Sequence, residues 1–245
     1  MDKEKRIVLI KGKNIEYFVI KKKIKNMNMR LSDSGEIIIS IPRYVSLQKA
    51  EDFLVSKYSW IEKQKKKYEK YSGLEESKLF IDNDYLYFLG KGYYLRIIPG
   101  KDNYFCFNGD YIDIYVKERY LNNKEYIKKV YDEWMKKYCF DLCNKYIAKY
   151  QEQMKEYNVP KDITVEIRKY KAKWGACTPS KKKVSFNMNL IKTPVECLEY
   201  VVVHELAHFK YLNHSQKFYK LIEKYIPDWK YRKKLLNEKY GRVLI

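Results

Sequence analysis

The 245-residue chain has only three histidines, and all three lie close together: His204, His208 and His214. His204 and His208 stand four residues apart with Glu205 directly after the first, an H-E-x-x-H pattern. On a helix, residues i and i+4 share a face, so these two imidazoles can hold one ion from one side. Glu205 sits one step round, where a carboxylate can take a proton from a water activated by that ion. A catalytic zinc site uses three protein ligands and leaves the fourth position to water. His214 follows His204 by ten residues, about 280° round a straight helix, so it can join the ion only if the helix ends first. Asn213 tolerates a left-handed cap, and Ser215 can N-cap a new helix. The chemistry such a set performs is metal-assisted hydrolysis. Three histidines and a glutamate on a buried apolar helix are costly to keep without a metal.

The elements around the motif must position it. Thr193-Pro194-Val195-Glu196 reads as a capping box with proline at the first helical position. Val195, Leu198, Val201, Val202 and Val203 surround the helix with apolar side chains, so it is central. Cys197 reads as a core residue. The run Val184 to Leu190 is a strand just upstream, read either as an edge that pairs with an extended substrate or as an internal strand. After Ser215, Phe218, Leu221, Ile222 and Tyr225 mark a helix, Pro227 breaks it, and Asp228 caps a last turn. Candidate oxyanion donors are Asn187, Asn189 and Tyr211. Glu223 is the alternative third ligand in the gluzincin manner. The metzincin turn is absent: Tyr211 stands where a glycine is needed, and the last methionine is Met188.

The remaining chain reads as α+β. Residues 7 to 42 suggest an antiparallel meander with a turn at Asp33-Ser34-Gly35 and a strand closed by Pro42. Ser46 opens a helix to about Tyr71, whose far half, Lys63 to Lys70, is strongly basic. Residues 81 to 117 read as two hairpins, the second turning at Asn108-Gly109. A long helix from about Asn123 to Tyr157 carries the stripe Trp134, Tyr138, Leu142, Tyr146 and Ile147. Residues 163 to 191 return to strand. No internal repeat is visible. The change from strand to helix near residue 120 divides the chain into a β-rich lobe, 1–120, and a lobe carrying the motif, 121–245.

The composition, 46% hydrophobic and 16% aromatic, is that of a folded protein. The net charge of +20 suits polyanions, so DNA association through a basic surface is one expectation; scattered solvated lysines are the plainer one. No zinc finger, helix-turn-helix or RNA-recognition signature accompanies it. No apolar run is long enough for a membrane helix, and the N-terminus lacks a signal-peptide core. Five cysteines without a C-x-x-C pair fit a reducing cytoplasm, with Cys139 and Cys143 as small core residues.

Trp174-Gly175-Ala176-Cys177, the strand to Leu190, Pro194, the run Tyr200 to His208, then Asn213-His214-Ser215 and Phe218 resemble the YgjP-like family of metal-dependent hydrolases, related to the SprT-like and WLM metallopeptidases. The N-terminal strands, Pro42 and Trp60-Ile61 are similar too. Ala176 departs from a common serine and Tyr219 from a common tryptophan. The resemblance implies a β-rich N-terminal lobe packed on a zincin-like C-terminal lobe with an HExxH active-site helix. It implies one zinc ion held by His204, His208 and His214, Glu205 as general base, and a peptide or protein substrate. Kinship to SprT-like proteins makes a DNA-associated protease the second reading; a metal-binding interaction protein without turnover is the third.

Overall fold

The computed structural model describes residues 3–31, 36–62 and 79–241. The chain forms two compact units, residues 1–75 and 76–245.

In the first unit, β1 (Glu4–Ile10), β2 (Lys13–Lys22), β3 (Asn28–Leu31) and β4 (Ile37–Pro42) form one sheet in the order β1-β2-β4-β3. Its centre, β2 against β4, is parallel, and the outer pairs are antiparallel. The meander expected from sequence is therefore two hairpin-like pairs joined by a parallel seam. Every residue of β4 is buried, which suits its β-branched run. Helix α1 (Leu47–Ser56) starts where expected, with Ser46 Oγ accepting from the Lys49 amide at 3.4 Å. Tyr17, Val19, Ile37, Ile39, Ile41 and Leu54 form the core of this unit. Helical turns resume at residues 58–62. The basic run from Lys63 and the Asp33-Ser34-Gly35 turn lie outside the described residues.

The second unit opens with β5 (Tyr85–Phe88), β6 (Lys91–Pro99), β7 (Tyr104–Asn108) and β8 (Tyr111–Val116), in the order β5-β6-β8-β7. Here too the central pair, β6 with β8, is parallel. The two four-stranded sheets share one topology, a repeat that lies in strand order and not in visible sequence identity. Helix α2 (Lys124–Gln153) follows, and Asn123 caps it by accepting from the Tyr126 amide at 3.0 Å. Its buried face is Ile127, Tyr131, Met135, Cys139, Cys143, Ile147 and Tyr150. The stripe read from sequence is thus rotated: Tyr138 is exposed, and Trp134 stacks on Phe105 with ring centroids 4.6 Å apart. Aromatic rings populate two faces of this helix, so size alone misplaced the core. Leu86, Leu95, Ile112, Ile114 and Val116 share one core with α2, which explains why the units part before this sheet and not near residue 120.

A second, three-stranded sheet carries β9 (Thr164–Arg168), β10 (Gly175–Thr178) and β11 (Lys183–Asn187) in the order β10-β11-β9. β11 pairs antiparallel with β10 and parallel with β9, so the strand upstream of the motif is internal and β10 is an edge. β11 ends at Asn187, whose Oδ1 accepts from the Asn189 amide at 3.0 Å and opens a 3₁₀ turn over Met188–Lys192. The remaining helices are α3 (Val195–Ala207), α4 (Gln216–Tyr225) and α5 (Trp229–Glu238).

The start of α3 falls at the expected place, but the capping box does not form. Thr193 turns its hydroxyl to the Leu190 carbonyl at 2.8 Å, and no side chain caps the first turn. Instead α3 is fixed by burial and by Glu199. Its two carboxylate oxygens accept from Lys149 Nζ (2.9 Å), Tyr150 Oη (2.7 Å) and Arg232 Nη1 (2.7 Å), tying α3 to α2 and α5. Burial works to raise the Glu199 pKa, but these donors outweigh it and hold the carboxyl below its usual range. A lowered carboxyl contributes stability that is complete above the unfolded value and is lost as pH falls through the folded one. Glu199→Gln is expected to cost about 2 kcal/mol at pH 7 and to flatten the acid limb of the stability curve. Urea denaturation of both proteins from pH 7 to pH 3 checks this.

Candidate metal centre

Nine residues of α3 are buried: Cys197, Leu198, Tyr200, Val201, Val202, Val203, Glu205, Leu206 and Ala207. A helix apolar on nearly every side has few directions left for polar groups. His204 lies in its last turn and His208 is its C-cap residue. The helix then tightens, with the Phe209 amide bonding to the Leu206 carbonyl (3.1 Å) and the Lys210 amide to Ala207 (3.1 Å), both i to i−3. This ends α3 without the left-handed cap expected at Asn213, which is not among the described residues with positive φ. Ser215 does cap α4, its Oγ accepting from the Phe218 amide at 3.3 Å. The reversal between α3 and α4 brings His214 back over the end of α3.

One nitrogen from each of His204, His208 and His214 lies within 4.8 Å of the other two. His204 Nε2 and His214 Nε2 are 3.0 Å apart. A single ion at about 2.0–2.1 Å from its imidazoles places tetrahedral neighbours about 3.3 Å apart, so this spacing fits a shared ion closely. The second ring nitrogens are backed as ligands require. His208 Nδ1 lies 3.0 Å from the Tyr211 carbonyl, which can only accept, so Nδ1 carries the proton and Nε2 offers its lone pair. His204 Nδ1 lies 3.4 Å from Tyr200 Oη. Phe218, fully buried, packs against all three rings, with centroids 4.9, 4.7 and 4.9 Å from His204, His208 and His214. Sequence reading placed Phe218 on the apolar face of its helix and among the residues of the family resemblance, but not against the three imidazoles.

Burial sets the charge state. It pushes His204 down to about 3, with His208, His214 and Lys233 adding to the effect. It also lowers His214, with His208 and Lys233 contributing. Neutral imidazole is the form that binds metal. Burial raises the Glu205 carboxyl to about 8, opposed by the charge of Lys173. Glu205 is 5% exposed and lies directly on β10: a Cβ at Gly175 would sit 2.6 Å from its Oε1 and 2.9 Å from its Cγ. Only glycine lets the strand approach the carboxyl this closely.

Other residues singled out in the sequence stay outside this cluster. Asn187 is fully buried, and its Nδ2 donates to the carbonyls of Tyr170 (2.7 Å) and Lys173 (3.0 Å), so it organises the chain before Gly175 and is spent as an oxyanion donor. Tyr211 contributes its carbonyl to His208. Glu223 is exposed on α4 and is not part of the ligand cluster found among the described residues. Cys197 is buried, with Sγ 3.8 Å from the Arg232 carbonyl, and burial pushes its thiol up to about 12. Burial, then the charge of Glu205, pushes Cys177 up to about 12 as well. Cys139 and Cys143 are buried core residues as expected. No described helix is long and apolar enough to cross a membrane.

The raised Glu205 has a thermodynamic signature. Above about pH 4.5 the unfolded chain has lost a proton that the folded, metal-free protein keeps until about 8. The folded state then binds more protons, so its stability falls as pH rises across this window. Glu205→Gln removes that slope, and the variant should gain on the metal-free wild type between pH 5 and pH 8 in chelator-treated denaturation series.

A family model described as YgjP-like, metallopeptidase domain matches residues 25–239. No curated protein matches the chain. Among solved structures, the crystal structure of the metallopeptidase zymogen of Pyrococcus abyssi abylysin is similar at 21% identity and a TM-score of 0.35, covering 42% of this chain and 96% of that one. With the family model spanning most of its length, the chain belongs to the YgjP-like metallopeptidase family.

Proposed function

We propose that this protein is a zinc-dependent peptidase that hydrolyses amide bonds at the end of α3, with His204, His208 and His214 as ligands and Glu205 as general base. The observation that carries this reading is the convergence of three imidazole nitrogens beside one buried carboxyl. A divalent ion there supplies Lewis acidity, polarising the substrate carbonyl and lowering the pKa of a water. Three converging imidazole nitrogens suit zinc, although nickel and copper accept the same set.

The rest of the work falls to side chains. The Tyr211 carbonyl fixes the tautomer and orientation of His208, and the Tyr200 hydroxyl lies within hydrogen-bond reach of His204 Nδ1, steadying that ring. Glu205 accepts the proton of the attacking water at a carboxylate oxygen. The same carboxyl, protonated, then delivers it to the leaving amide nitrogen. A carboxyl near 8 without the ion falls when a dication stands beside it, which suits a base working near neutral pH. β10 is an edge of its sheet and its first residue touches Glu205. An extended substrate adding to that edge would bring its backbone alongside the carboxyl. The fold and its net charge also allow action on proteins near DNA, but no feature of the metal centre favours that over other protein substrates.

Two experiments test the reading. Elemental analysis should find about one zinc per chain in the wild type and in Glu205→Gln, and sharply less in His214→Ala; peptide hydrolysis should fall at least 100-fold in Glu205→Gln. Full zinc in His214→Ala would remove it from the ligand set, and an active Glu205→Gln would remove the base. Separately, Gly175→Ala should lower kcat about tenfold or more while zinc content holds, because the added methyl meets the Glu205 carboxyl and not the imidazoles.

A further inference from the structure

We propose that the loop of residues 169–174 selects acidic substrates, with Lys171 and Lys173 receiving an Asp or Glu side chain close to the scissile bond of an extended peptide. The inference rests on the peptidase reading and adds to it a substrate class.

Three observations support it. First, the loop is rigidly held next to the candidate base. Asn187 binds the carbonyls of Tyr170 and Lys173 through its side chain, and its amide donates to the Trp174 carbonyl at 2.7 Å. Tyr170 Oη is 2.7 Å from Ser185 Oγ. The loop then runs into Gly175, which lies on Glu205. A loop tied down at three carbonyls presents its outward side chains with little entropy left to lose on binding.

Second, most charges on this hairpin are matched; among its described cations, Lys181 at the far end and Lys171 and Lys173 at the site have no acidic partner. Arg168 and Lys183 pair with Glu166, Lys169 with Asp132 at 2.7 Å, and Lys182 with Asp162 at 2.8 Å. Lys171 and Lys173 are exposed and have no acidic partner among the described residues. The segment from Ile167 to Thr178 contains no acidic residue at all. Lys173 Nζ sits 4.5 Å above the Tyr170 ring, which holds it in place without neutralising it.

Third, a peptide fits the feature better than nucleic acid. A nucleic-acid surface combines a long cationic track with rings free to stack on bases. Here the cationic stretch is short, and neither of the loop's two rings is free to stack: Tyr170 is covered by Lys173 and bonded to Ser185, and Trp174 is buried. Lys173 and Lys171 stand two and four residues before β10, so an acidic side chain of a peptide running past Gly175 would complete the unmatched pair.

The test uses the zinc-loaded full chain and a mixed peptide library, with the residues around each cleaved bond read by mass spectrometry. Asp and Glu should be enriched about fivefold within three residues of the cleaved bond at low salt, shrinking as salt rises. In Lys171→Glu/Lys173→Glu the preference should invert toward Lys and Arg. Lys181→Glu, at the far end of the hairpin, should retain the acidic preference and so control for net charge. Cleavage without acidic enrichment, or enrichment unchanged in the double variant, overturns the inference and leaves the peptidase reading intact. If no peptide is cleaved, that reading fails, and anisotropy decides the inference alone. In zinc-loaded Glu205→Gln, an acidic peptide bound in a salt-sensitive way and lost in the double variant sustains it. Absence of binding, or tighter binding of single-stranded DNA, overturns it.

Discussion

The burial of α3 constrains everything else in the second unit. A helix apolar on nearly every side can expose its chemistry only at its end, and there it carries His204, Glu205 and His208. Desolvation lowers the His204 and His214 imidazoles and raises the Glu205 carboxyl, so without the ion it favours neutral rings and a protonated acid. The site is therefore assembled in the electrical state that a dication would convert. The neighbouring elements follow from this one demand. α2 and α5 clamp Glu199, α4 returns His214, and β10 closes over Glu205.

Much of the rigidity around the site comes from backbone carbonyls. The Tyr211 carbonyl sets the tautomer of His208, and the carbonyls of Tyr170, Lys173 and Trp174 are gathered by a single asparagine. Asn187 can do this because it stands where β11 stops, with its own Oδ1 already committed to the next turn. A polar residue fully buried at a strand end is stable only when all its hydrogen-bonding capacity is used in this way. Leucine at this position would fill the space and release the loop.

The convergence of the three histidines was legible in the sequence because imidazole spacing and a Ser N-cap are local signals. The hairpins around Gly90 and Asn108-Gly109 were legible for the same reason. What the sequence hid was non-local. Whether Val184 begins an edge or an internal strand depends on β9 and β10, which pair with it from both sides. Cys139 and Cys143 are buried as read, but the stripe was misplaced because Trp134 and Tyr138, counted into it for their size, lie off the buried face. The Thr193 hydroxyl had two acceptors within reach, and the Leu190 carbonyl took it. Contacts of Phe218 with three rings belong to a reversal of the chain that no short window contains.

The shared order of the two four-stranded sheets means that one packing problem is solved twice. In each, a strand with core residues, Ile37, Ile39 and Ile41 in one and Ile112, Ile114 and Val116 in the other, lies parallel to an earlier strand and antiparallel to the one just before it. Each is followed by a helix capped by a polar side chain, Ser46 or Asn123. The helices differ in length, 10 residues against 30. The extra length of the second carries Lys149 and Tyr150 out to Glu199 on α3, a reach the first helix does not need for its own small core.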